Sequence, residues 1–196
     1  MSKPDFSTLT RQNIVAFIGD IFERCGDEEY LGEPVTMAQH MLQGATIAEN
    51  NGQGDDIIVA ALLHDIGHFT SEFGTFSMAD TKDRFHEEAG AQVLAEFFSS
   101  VVTDCVRYHV AAKRYLCATK PDYYKRLSTA SVHSLNLQGG AMIPQEVADF
   151  ARMPNLKKII QVRYLDDAGK HADMETPDFW HFAPMVQRIV DQHCGD

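Results

Sequence analysis

The chain has 196 residues, 44% of them hydrophobic and 23% charged, enough to bury one substantial core, and at this length one domain is expected. Its net charge of -11 and isoelectric point near 5.2 exclude the basic surface that nonspecific nucleic-acid binding requires. The acidity is uneven: residues 1–98 hold 5 Lys+Arg against 17 Asp+Glu, and residues 99–196 hold 12 against 11, which better suits the second half to an anionic ligand.

The N-terminal Met1-Ser2-Lys3-Pro4-Asp5 has no signal-peptide apolar core, and no apolar run approaches membrane-spanning length. A soluble cytoplasmic protein with no membrane partner is expected. From residue 7 to about 25, Ile14, Phe17, Ile18, Ile21 and Phe22 recur at three-to-four spacing and predict an amphipathic helix. Residues 26–34 read as a loop. Thr36 is a good N-cap for a helix carrying His40, Leu42, Ala45, Ile47 and Ala48, which ends near Asn50-Asn51-Gly52. Asp55 or Asp56 is expected to cap the next helix, residues 57–63, with Gly67 stopping it just beyond His64-Asp65.

Residues 70–85, with Gly74 and scattered aromatics, read as a mobile loop over the site. His86 opens a helix to Phe98. Ser99 or Ser100 starts another, with Val101, Val102, Cys105, Val106 and His109 on one face. Shorter helices follow at 122–135 and 144–151; Pro154 opens one to Leu165, and residues 177–193 form the last. Cys25, Cys105, Cys117 and Cys194 show no paired spacing, and Cys105 falls where a free thiol packs as a small hydrophobe. No segment alternates with period two, and no repeat occurs. The fold class is all-α.

On this scaffold His40, His64-Asp65, His86 and His109 occupy four helices or helix ends, and Asp166 terminates a fifth. Imidazole nitrogen and carboxylate oxygen both bind borderline metals, and six such ligands exceed the need of one tetrahedral ion. The set points to two metals sharing a bridging carboxylate in a helical bundle. Lys113 lies one turn after His109 and Arg163 three residues before Asp166, so each shares a face with a ligand. His68 is four residues past His64, placed to support a ligand or touch substrate.

The order His40, His64-Asp65, Asp166 resembles the HD-domain superfamily, and the inserted His86 and His109 resemble its two-metal version. Four flanking strings extend the likeness: Tyr30-Leu31-Gly32-Glu33, His109 to Leu116, Gln138-Gly139-Gly140 and Arg163-Tyr164-Leu165-Asp166. They are similar to the mixed-valent di-iron oxygenases that cleave carbon–phosphorus bonds in α-hydroxyphosphonates. That resemblance implies a helical bundle in which His40, His64, His86, His109 and Asp166 hold one Fe(II) and one Fe(III), with Asp65 bridging and no organic cofactor. It implies an organophosphonate and dioxygen as the small-molecule partners, with Lys113, Ser131, Gln138 and Arg163 on the phosphonate. It also implies hydrogen removal from the hydroxyl-bearing carbon, oxygen insertion, and release of a carboxylate and phosphate, with His64, Asp65 and His68 at the reacting centre. Tyr30 is expected near the open iron position and Glu33 near a cation at C2.

That cation is a trimethylammonium or a primary ammonium group. Phe73, Phe76, Asp80, Asp83 and Phe85 offer aromatics with carboxylates, which suits a quaternary ammonium that donates no N–H hydrogen bond. The trimethylated substrate, giving glycine betaine, is the favoured reading, and the primary amine giving glycine is the alternative. A metal-dependent phosphohydrolase and a non-catalytic HD-like module are rivals. The second predicts lost ligands, whereas all six are present.

Overall fold

A computed structural model describes residues 6–71 and 79–195. Among them the chain runs through α1 (Ile14–Cys25), α2 (Met37–Asn50), α3 (Asp55–Leu63), α4 (Gly67–Thr70), α5 (His86–Leu94) and α6 (Ser100–Thr119). A 3-10 turn (Tyr124–Arg126) leads to α7 (Thr129–Leu137), α8 (Pro144–Phe150), α9 (Leu156–Ala168) and α10 (Phe179–Cys194). The sole β pairing among the described residues is an isolated Glu29–Thr36 bridge, so the all-α expectation holds.

The centre of the bundle is α3. Every residue from Ile57 to Leu63 is buried, and a helix apolar all round must be wrapped by others. Helices α2, α6, α9 and α10 pack against it, while α5 lies against both α4 and α6. The first turn of α3 carries Asp55 and Asp56, which favour the positive end of the helix dipole. Thr36 closes a capping box on α2: its hydroxyl accepts from Gln39 N at 3.2 Å, and Gln39 Oε1 accepts from Thr36 N at 2.9 Å. That cap fixes the helix phase that turns His40 inward.

Several sequence-based boundaries move. The first helix begins at Ile14, because Asn13 turns its side chain back onto Thr10 N and Thr8 O and closes a turn there. Gly54, rather than Asp55 or Asp56, caps α3. Gly67 does not stop the chain; it opens α4 after the turn at residues 64–66. The helix begun by His86 ends at Leu94, short of Phe98. The expected 122–135 helix is broken, and Ser128 starts a fresh one by accepting from Ser131 N at 3.1 Å. In α9 the helix continues past Asp166 to Ala168 instead of ending there.

The four cysteines are free, and burial pushes the Cys105 thiol up to about 12, as befits a core hydrophobe. No helix among the described residues is long and apolar enough to cross a membrane.

Candidate metal centre and substrate cavity

Helices α2, α3, α5, α6 and α9 converge, α6 through its middle at His109 and the others at or near an end, and each brings one or two polar side chains into an otherwise apolar interior. His40, His64, Asp65, His86, His109 and Asp166 are all buried. Buried imidazoles need partners. Three of them spend Nδ1 on backbone carbonyls: His40 on Gly169 O at 2.8 Å, His64 on Ala61 O at 2.7 Å and His109 on Val106 O at 2.7 Å. Each Nδ1 therefore carries the proton in the neutral ring, and each Nε2 lone pair is aimed inward.

The Nε2 atoms meet in pairs. His40 and His64 approach to 2.9 Å, and His86 and His109 to 3.1 Å. Asp65 stands between the pairs. Its Oδ2 is 3.5 Å from both His40 Nε2 and His64 Nε2, and its Oδ1 is 3.3 Å from both His86 Nε2 and His109 Nε2. Asp166 Oδ1 faces the first pair, 3.5 Å from His40 Nε2, and this buried oxygen has no hydrogen-bond donor. Donor atoms of His40, His64 and Asp65 lie within 4.8 Å of one another, as do those of Asp65, His68 and His86.

Protonation follows from this crowding. Burial pulls the His64 imidazole down to about 4. Burial also opposes the charged form of His40, but the negative charges of Asp166 and Asp65, each 3.5 Å from its Nε2, outweigh it and hold that ring at about 9. The pair thus shares one proton, carried by His40. Burial, followed by the neighbouring His86, keeps His68 well below its ordinary value and neutral. Its ring stacks on His86 with centroids 4.0 Å apart, and its Nδ1 has no hydrogen-bond partner.

The opposite wall is the expected set of substrate residues. Tyr30, Glu33, His68, Lys113, Ser131, Gln138 and Arg163 all line one cavity with Asp65, His86, His109 and Asp166. His40 and His64 sit behind them. Tyr30 stacks on His40 at 4.0 Å, on a loop that turns through the left-handed backbone of Leu31, at φ 47°. Lys113 is buried and donates to Ser134 Oγ at 2.8 Å. Burial first, then Arg163, brings its ammonium down to about 7. Gln138 Oε1 is buried without a donor. Arg163 is more committed than its sequence position suggests: it bonds Asp166 Oδ2 at 2.6 Å, Tyr123 Oη at 3.0 Å and Asp167 Oδ1.

The aromatic recess expected from residues 70–85 is not found where the chain is described. Phe85 is 61% exposed and lines a different groove, and Asp80 pairs with Arg84. Phe73 and Phe76 lie outside the described residues. The aromatic face in the cavity is Tyr30.

A metal-centred helical bundle with this ligand order is the expectation for HD domains, and the HD domain family matches residues 37–153. The chain belongs to the HD-domain family. It is 77% identical, over 195 residues and the full length of both chains, to the 1-hydroxy-2-(trimethylamino)ethylphosphonate dioxygenase (glycine-betaine-forming) of Leisingera caerulea. It is 37% identical over 177 residues, 89% of this chain and 88% of the relative, to the hydroxymethylphosphonate dioxygenase of Gimesia maris. An uncharacterized protein of Acanthamoeba polyphaga mimivirus is 35% identical over 161 residues, 81% of this chain and 73% of that one.

In this HD domain the sequence reading missed one charged wall residue, Lys170. It lies two residues past the end of α9, outside the helical pattern that singled out Arg163 and Asp166. No spacing signal marks it, because the helix has already ended at Ala168. Ser134 was also missed; it lines the cavity, and its hydroxyl accepts from Lys113 and donates to Ser131 O at 3.1 Å.

Proposed function

We propose that this chain catalyses oxygen-dependent cleavage of the carbon–phosphorus bond of 1-hydroxy-2-(trimethylammonio)ethylphosphonate, giving glycine betaine and phosphate. The observation that carries the proposal is the division of the Asp65 carboxylate, one oxygen toward His40 and His64 and the other toward His86 and His109. The substrate follows from the likeness to the Leisingera caerulea enzyme.

The donor set fits two cations. Inward Nε2 lone pairs face one another at hydrogen-bond distance, and Asp166 Oδ1 is buried without a donor. His40, His64, Asp166 and Asp65 Oδ2 would hold one ion; His86, His109 and Asp65 Oδ1 would hold the other, with His68 alongside. A mixed-valent Fe(II)/Fe(III) pair would supply the redox chemistry with dioxygen. The overall reaction balances with one dioxygen per hydroxyphosphonate and no external reductant, so no organic cofactor is required.

The protein's own part is binding, orientation and proton handling. Lys113, Ser131 and Gln138 meet the phosphonate oxygens, and a bound phosphonate returns full charge to Lys113. Arg163 holds Asp166 in place and extends the positive field over the same end. Neutral His68 has the free nitrogen needed to take a proton from the substrate hydroxyl and give it back. Buried apolar helices keep water from the reacting carbon. Glu33 and Tyr30 face the cationic end.

The test is phosphate release from the racemic substrate by iron-loaded protein, with and without dioxygen. Oxygen-dependent release with two metals per chain supports the proposal. Release from the primary-amine analogue alone would reassign the substrate. Oxygen-independent phosphate release from phosphate esters alone would make the protein a hydrolase.

A further inference from the structure

Lys170 stands between the two ends of the cavity. Its Nζ donates to Ser131 Oγ at 2.9 Å, lies 3.6 Å from Glu33 Oε1, and sits 5.7 Å from the centroid of the Tyr30 ring. Glu33 is also held by the Ser128 hydroxyl. An aromatic face with a carboxylate beside it is the pairing that recognises a quaternary ammonium, through cation–π and Coulomb attraction. Here a cation from the protein itself already fills that pairing.

Two cations do not share one carboxylate and one ring face without repulsion. The Lys170 side chain is 12% exposed, long and flexible, and its hydrogen bond to Ser131 points it along the wall toward the phosphonate end. It has somewhere to go when a second cation arrives.

We propose that Lys170 is a resident cation that occupies the Glu33–Tyr30 recess and is displaced toward Ser131 by a trimethylammonium group, so that it sets selectivity between cationic and uncharged phosphonates. The inference rests on the function proposed above. With a cationic substrate, the ammonium takes over Glu33, and Lys170 keeps only the Ser131 bond that it makes with either substrate. With an uncharged tail, Lys170 stays on Glu33 and keeps that carboxylate paired. Lys170 thereby lowers the penalty for uncharged substrates.

The experiment compares kcat/KM for the trimethylammonium substrate and its uncharged isostere, 1-hydroxy-3,3-dimethylbutylphosphonate, in wild type, Lys170→Met and Lys170→Arg. A lost phosphonate contact lowers both rates by the same factor and cancels in the ratio. In Lys170→Met the cationic-to-uncharged ratio is expected to rise roughly tenfold, the scale of one partly buried charge left without a partner. Lys170→Arg is expected to keep the wild-type ratio. Lys170→Gln gives the same rise as the methionine variant and replaces it where that variant does not fold. Tetramethylammonium, measured by calorimetry, is expected to bind the charge-removing variant about tenfold more tightly than wild type. An unchanged ratio, or unchanged tetramethylammonium binding, overturns the proposal. Wild-type protein that releases phosphate from neither compound overturns the functional reading beneath it instead.

Discussion

Gly67 rests directly against the backbone carbonyl of His86. A Cβ added there would stand 1.7 Å from that oxygen and 2.7 Å from Gly90 N, so no side chain fits unless α4 and α5 separate. This contact seats His86 opposite Asp65. Gly67→Ala is expected to destabilise the fold by about 3 kcal/mol or more, at the upper end of overpacking. It is also expected to reduce bound metal from two equivalents toward one. Thermal melting with metal analysis checks both, and full loading in a native-like variant would contradict the account.

Asp65 serves both histidine pairs, and the His40–His64 pair shares one proton. Asp65→Ala and His64→Ala are each expected to abolish loading to two equivalents. In wild type the proton on His40, held at about 9, must leave when a cation arrives. Metal loading at pH 7 is therefore expected to release about one proton from this pair. Apparent affinity rises with pH up to about 9 and levels off above it. Titration in weak buffer with a pH indicator measures the release directly.

Lys113 predicts a pH dependence of substrate binding. Its ammonium titrates near 7 in the free protein, and bound cations nearby push it further down, whereas a bound phosphonate pushes it up. Between those two values, binding takes up a proton. Affinity is accordingly full below the free-protein value and falls as pH rises beyond it. Lys113→Met is expected to raise KM by roughly tenfold to a hundredfold, the loss of a charged hydrogen bond, and to remove that pH slope. Calorimetry in two buffers of different ionisation enthalpy reads the proton uptake.

Arg163 stands over two carboxylates, and Arg163→Met would leave Asp166 and Asp167 without their cation. Breaking a buried pair from one side costs about 3–5 kcal/mol. Metal should offset part of that loss, because Asp166 faces the first histidine pair. Urea unfolding of Arg163→Met with and without bound metal is expected to show the larger loss without it. Equal losses in both would detach Arg163 from the metal centre.

What could be read from the sequence divides along a physical line. The convergence of His40, His64, Asp65, His86, His109 and Asp166 was legible because polar side chains inside apolar helical runs cost too much free energy to be incidental in such number. Helix α3 was visible for the same reason, as an unbroken apolar run. Tertiary relations were hidden. Nothing local shows that Gly67 must admit the His86 carbonyl, or that Ser128 restarts a helix after Leu127 turns extended. Arg163 looked available to a substrate because Tyr123 reaches it from 40 residues away, ahead of the 3-10 turn; Asp167, four residues on in the same helix, was within reach of spacing. Lys170 lies past a helix end, where spacing arguments lapse. The aromatic recess was assigned to residues 70–85 on composition, while the ring in the cavity is Tyr30, held by a left-handed turn at Leu31.

The hydrogen bond from His40 to Gly169 spans 129 residues, and a Cβ at Gly169 would stand 2.7 Å from the His40 carbonyl. A chain emerging from the ribosome presents its histidines one by one, yet the carbonyl that pairs with His40 Nδ1 comes only with the end of α9. Half-finished chains thus present these histidines without the assembled donor set, so an ion that used the full set would be captured only by the completed fold. The assembled donor set belongs to the completed fold, and Gly169→Ala, which sets a Cβ against the His40 carbonyl, is expected to disturb it while leaving the other helices intact.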